Sequence, residues 1–133
     1  MPNQHLNPEG VSRPANYTHV VSGTGRVVYI SGQVPVDASG KLVGLGDFAA
    51  QADKVFENLA TCLASAGATF ADVVKLTTYI VNYVPDKHRA LLQAARAKHL
   101  PAENPPASTL VGVQSLALPG FMLEIEAVAI LAS

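Results

Sequence analysis

Leu123-Glu124-Ile125-Glu126-Ala127-Val128-Ala129-Ile130-Leu131 decides how this chain reads. At a period of two, Leu123, Ile125, Ala127, Ala129 and Leu131 share one face. Glu124, Glu126, Val128 and Ile130 share the other with Met122. Both faces carry apolar residues. A strand from Phe121 to Leu131 therefore needs cover on two sides, and helices from one small domain supply only one of them. The run is too short to cross a bilayer as a helix, and two glutamates interrupt it.

Working outward, Thr109 to Val113 reads as the preceding strand, joined to the last around Pro119-Gly120. Val73 to Val81 alternates as well, with Val74, Leu76, Thr78 and Ile80 on one side. Phe48, Ala52, Val55, Phe56, Leu59, Leu63 and Ala66 recur at helical spacing. Asp47 suits the N-cap of that helix and Gly67 its C-terminal glycine. A second helix is expected from about Pro85 to Leu100, stopped by Pro101, with Leu91, Leu92, Ala95 and His99 as a weaker stripe. Tyr17 to Val21 and Arg26 to Ser31 read as two more strands, with a hairpin turn at Ser22-Gly23-Thr24-Gly25. Asp37-Ala38-Ser39-Gly40 marks a second turn. Residues 1–16, with Pro2, Pro8, Gly10 and Pro14, read as an irregular arm. The sum is one α+β domain over residues 1–133. Its mixed sheet has five or six strands, with two helices on one face. The other face is expected to be buried by another copy.

Composition points the same way. Only 14% of the 133 residues are charged, against about 25% in an ordinary soluble domain. A small surface with so little charge is readily shared. The net charge of -1 leaves no basic footprint for nucleic acid. Cys62 is alone, which excludes an intrachain disulfide and a cysteine-rich zinc site. His5, His19, His88 and His99 show no metal-ligand spacing. Met1 to Gly10 has no charged and apolar pattern of a secretory leader, so no membrane association and a cytoplasmic location are expected.

Few residues point to chemistry. Ser31-Gly32-Gln33 ends a strand, where it serves either as a terminating turn or as the wall of a site. Glu124 is a carboxylate on a strand that is otherwise apolar. That is costly unless the group is paired or used, so it is either an acid-base group or half of a structural pair. Glu126 fits the structural role better. Arg13, Arg26, Arg89 and Arg96 are scattered and read as solvated. Gly23-Thr24-Gly25 leads into a strand and lacks the rest of a dinucleotide loop, and no G-x-S-x-G elbow occurs. These residues alone specify no reaction.

Three segments, in order, resemble the Rid family, also known as YjgF or L-PSP endoribonuclease. They are Val28-Tyr29-Ile30-Ser31-Gly32-Gln33-Val34-Pro35, then Ala66-Gly67 with Asp72-Val73-Val74-Lys75, then Leu123 to Ala129. The resemblance runs from about Tyr17 to Ala129. It implies a chorismate-mutase-like α+β fold and a homotrimer with ligand clefts between subunits. It also implies cofactor-free and metal-free hydrolysis of reactive imines and enamines such as 2-aminoacrylate. By the same resemblance Tyr17, Ser31 and Gly32 line the cleft and Glu124 handles the attacking water. Ala107 and Thr109 fall at further substrate-lining positions. The deaminases of the family carry an arginine where this chain has Ala107, and their second-helix asparagine is missing around Ala90. The chain thus resembles an arginine-less subgroup, with Arg89 or Arg13 of a neighbouring subunit as the candidates to replace the lost group. The other reading is a metabolite-binding or chaperone-like trimer without turnover. Nothing favours the ribonuclease of the older name, since there is no basic groove, no Trp and no histidine pair.

Overall fold

Asp47 opens the longest helix, α1 (Phe48–Ser65), as an N-cap whose side chain accepts a hydrogen bond from the Ala50 N–H at 3.1 Å. Phe48, Gln51, Ala52, Val55, Phe56, Leu59 and Leu63 turn inward from it, which matches the sequence periodicity. Gly67, at φ +77°, ends it. The Gly67 N–H donates to Ala64 O at 3.0 Å and the Ala68 N–H to Leu63 O at 2.9 Å, the paired bonds of a Schellman cap.

The structure is a computed structural model, described here for residues 2–132. Its strands are β1 (Gln4–Leu6), β2 (Val20–Ser22), β3 (Arg26–Gln33), β4 (Val73–Val81), β5 (Ala107–Val113) and β6 (Leu123–Leu131), and its second helix is α2 (Pro85–His99). The main sheet has the order β3-β6-β4-β5. β6 runs antiparallel to both neighbours, while β4 and β5 are parallel and joined by α2. This is the mixed α+β architecture expected from the sequence. The six strands divide between this four-stranded sheet and a separate β1-β2 pair.

Two local expectations change. The hairpin expected at Ser22 to Gly25 does not form: β2 pairs with β1, and β3 pairs with β6. Gly25, at φ +139°, lets the chain pass so close to the end of β6 that a Cβ there would sit 2.8 Å from the Leu131 carbonyl carbon. The arm also holds order of its own, because Gln4–Leu6 pairs in register with Val20–Ser22. On α2, Leu91 is exposed. The inward positions are His88, Leu92, Ala95 and Arg96.

The core lies between the sheet and the helices. Leu123, Ile125, Ala127 and Ala129 of β6 pack there with Leu76 and Ile80 of β4 and Val55, Phe56, Leu59 and Leu63 of α1. Gln51 is fully buried among them. Its amide donates to Gly44 O at 3.1 Å and Gly120 O at 2.9 Å, and its carbonyl accepts from the Met122 N–H at 2.8 Å. It fastens α1 to two loops. The opposite face of the sheet carries Val27 and Tyr29 of β3 and Val111 of β5 in the open, with Tyr29 81% exposed. Val128 and Ile130 of β6 stand directly opposite Tyr29 and Val27. Among the described residues, no helix is long and apolar enough to cross a membrane.

Candidate functional site

On the open face, β3 and β6 lose one step of register. Ile30 pairs with Ala127, but Gln33 pairs with Ile125, so Ser31-Gly32 holds one extra residue as a β-bulge. Bulges of this kind re-aim side chains, and here the missing side chain matters more. The Glu124 side chain lies against the Gly32 backbone. A Cβ on Gly32 would come within 2.7 Å of the Glu124 carboxyl carbon and 2.9 Å of Cγ, and closer still to Oε2. The sequence-derived residues Ser31, Gly32 and Glu124 are therefore neighbours.

Glu124 is half-buried, and among the described residues it has no hydrogen-bond or ion-pair partner. Glu126, one position further along the same face, is engaged. The Tyr79 hydroxyl donates to its Oε1 at 2.6 Å. That bond, then burial and the charges of Glu126 and Glu124, push the Tyr79 phenol above its ordinary value of 10.0. The structural role expected of Glu126 and the freer state of Glu124 thus follow from which of them Tyr79 reaches.

Ala107 and Thr109 lie on the same open face of β5, at the edge of the sheet. Thr109 Oγ1 accepts from Lys75 Nζ at 2.7 Å. Thr109 shares a row with Thr77 and Glu126, whereas Glu124 shares one with Tyr79 and Val111. Ala107 is two strands across and four residues along from Glu124, on the order of 15 Å away. Within one protomer these positions do not meet.

Tyr17 sits elsewhere. The Thr18 N–H and hydroxyl donate to Pro106 O at 3.2 Å and Pro105 O at 2.5 Å, pinning the arm beside the start of β5. Tyr17 there lines a cleft of about 680 Å³ on the helix side of the sheet, bounded by α2, the arm and β5. Arg89 lines this cleft and Arg13 does not. The sequence reading missed a third arginine. Arg96 was read as solvated, yet it is 7% exposed. Its Nη2 donates to Asn16 O at 2.9 Å and its Nη1 to Ser108 Oγ at 3.3 Å. Burial alone lowers its pKa from the ordinary arginine value. The only sequence signal is that Asp86, Arg89, Gln93 and Arg96 recur on one face of α2, which is also the pattern of a solvated face. Among the described residues, no cluster of three or more His, Cys, Asp or Glu side chains could hold a metal ion.

Residues 10–131 match the family described as Endoribonuclease L-PSP. The chain belongs to that family. A Rid-family protein of unknown function from Yersinia pestis is 41% identical, covering 98% of this chain and all of that one, with a TM-score of 0.88. A putative endoribonuclease from Thermotoga maritima superposes with a TM-score of 0.72 at 26% identity, over 95% of this chain and 92% of that one. The 3-aminoacrylate deaminase RutC of Acinetobacter baylyi is 31% identical over 97% of this chain and 98% of its own length. The fold and the Rid membership expected from three short segments are thereby shown for nearly the whole chain.

Proposed function

We propose that this Rid protein hydrolyses a reactive imine or enamine of a small metabolite to a carbonyl compound and ammonia. The observation that carries this is the half-buried, unengaged carboxylate of Glu124, backed onto the bulge at Gly32 beside a neighbour that Tyr79 holds occupied. The likeness to a protein named as a deaminase supports it. An iminium carbon is already electrophilic, so placement of water supplies much of the rate. Glu124 accepts a proton as water forms the C–O bond, and returns it to nitrogen. The resulting carbinolamine then breaks its C–N bond, leaving the carbonyl product and ammonium. The reaction is redox-neutral and consumes only water. An enamine must first take a proton on carbon to become the imine.

A homotrimer completes this reading. It would cover Val27, Tyr29 and Val111, and it would let positions 107 and 109 of one subunit join Glu124 of another. Light scattering should give a trimer at micromolar concentration, and a monodisperse monomer would overturn it.

The decisive assay generates 2-aminoacrylate from serine with a dehydratase and follows pyruvate with and without this protein. Imines of bulkier amino acids are tested in parallel. Acceleration by the wild type that Glu124→Gln removes is expected, and activity unchanged in that variant would refute the role of Glu124. Ala107 in place of the family's arginine favours one second reading, a binding protein without turnover. Its mark is a metabolite that raises Tm and is not consumed.

A further inference from the structure

One hydroxyl on the open face stands between two carboxylates. In the register of β4 and β6, Tyr79 lies directly opposite Glu124, while Glu126 is opposite Thr77, one row along. Side chains directly opposite have Cβ atoms about 4.5–5.5 Å apart, and diagonal neighbours about 7–8 Å, still within reach of a tyrosine. Tyr79 takes the diagonal. Its hydroxyl donates to Glu126 Oε1 at 2.6 Å and passes over the residue directly opposite it. A phenol has one proton to donate, so it serves one carboxylate at a time.

Glu126 does not need that bond. It is exposed in one protomer, where water satisfies a carboxylate without help. What the bond does is occupy the Tyr79 hydroxyl. Glu124 is near enough to compete for it, since the charges of Glu126 and Glu124 both act on the phenol and raise its pKa. Yet Glu124 leans the other way. β3 and β4 flank β6 on opposite sides, and the Glu124 carboxylate rests against Gly32 of β3. A hydroxyl free to turn would draw it back toward β4 and cap it, because an O–H donated to a carboxylate is among the stronger hydrogen bonds. The cations of the main sheet are engaged elsewhere: Lys75 Nζ donates to Thr109 Oγ1 and Arg26 Nη2 to Ala66 O, each at 2.7 Å.

We infer that Glu126 is a positioning residue: it captures the Tyr79 hydroxyl and so keeps the Glu124 carboxylate uncapped and seated against Gly32. In this scheme neither Glu126 nor Tyr79 touches the substrate. The consequence for rate rests on the hydrolytic reading of Glu124; the seating against Gly32 does not.

The test uses the whole protein and removes first the acceptor, then the hydroxyl. Glu126→Ala should slow imine hydrolysis about tenfold or more, the weight of one hydrogen bond to a charged group. Adding Tyr79→Phe should bring the double variant back to the rate of Tyr79→Phe alone, and that single variant should hydrolyse as the wild type does. A merely structural loss at position 126 gives no such rescue. Glu126→Val, a stronger strand former, repeats the comparison where alanine weakens the fold. The seating is read separately in the amide NMR spectrum. The Gly32 signal should shift in Glu126→Ala, as Glu124 leaves it, and return when Tyr79→Phe is added. This readout needs no turnover, so a wild type that hydrolyses no imine would sink the hydrolytic reading and leave the Gly32 signal to decide this one. An unmoved Gly32 signal in Glu126→Ala overturns the inference. So does a shift or a loss of rate that persists after Tyr79→Phe is added, or a loss of rate in Tyr79→Phe alone.

Discussion

Gly32→Ala separates catalysis from folding at this site. Ordinary contact with a methyl group begins near 3.4 Å, whereas the new Cβ would lie 2.7 Å from the Glu124 carboxyl carbon. That carbon must retreat by about 0.7 Å, and Oε2 by more. The group that yields is the far end of a flexible, half-buried side chain. The stability cost should stay near the low end for overpacking, about 1 kcal/mol, or roughly 3–6 °C in Tm for a chain of this size. Catalysis should suffer far more, because misplacing a reacting group by about 1 Å can lower a rate on the order of 10²-fold. The assay is imine hydrolysis by the wild type, Gly32→Ala, Glu124→Gln and the double variant, with melting curves on each. If both substitutions act through one carboxylate, the double variant is no slower than Glu124→Gln alone. A folded Gly32→Ala protein within twofold of the wild-type rate would refute the claim that Gly32 positions Glu124. Additive losses in the double variant would show that Gly32 acts by another route.

Gln51→Leu should destabilise the fold by about 2–4 kcal/mol in denaturant melts. It strands the Gly44 and Gly120 carbonyls and the Met122 N–H in a buried place; a loss under about 1 kcal/mol would show that water replaces the amide. Glu126 holds the Tyr79 proton, so the folded-state pKa is raised above 10.0 and the neutral phenol is the favoured form. The stability this adds is complete below the unfolded-state value and is lost as pH rises through the raised one. Tyrosinate absorbance, taken as wild type minus Tyr79→Phe, should titrate above the ordinary range and fall toward it in Glu126→Gln. Tyr29→Lys should split the proposed trimer in light scattering at near-constant monomer fold content, since Tyr29 is 81% exposed in one protomer. An intact trimer would place the interface elsewhere.

The elements themselves were local matters. Asp47, the spacing of Phe48 to Leu63, and Gly67 specify α1 through capping, periodicity and a left-handed backbone position, all within one stretch of chain. The alternation of β4 and β6 is equally local, and it correctly announces a core face and a second, apolar face. The pairing of strands was not local. Ser22 to Gly25 carries the composition of a hairpin, yet β2 pairs with the arm, while β3 stands at the edge of the main sheet with β6, from the far end of the chain, as its neighbour. Ser31, Gly32 and Glu124 were legible one by one. Their contact exists because a bulge brings residue 32 against residue 124 across two strands. Arg96 was the least legible of all: an arginine on a helix face has the same pattern whether water or a protein wall lies outside it. The arm at Asn16, from near the start of the chain, and β5 at Ser108, beyond the end of α2, close over it. By itself, then, the sequence determined which segments are helix or strand, which faces are apolar and which family the chain resembles. Tertiary structure alone decided which distant segments close over a charge or open beside one, because burial depends on everything that packs around a side chain and not on its neighbours in the chain.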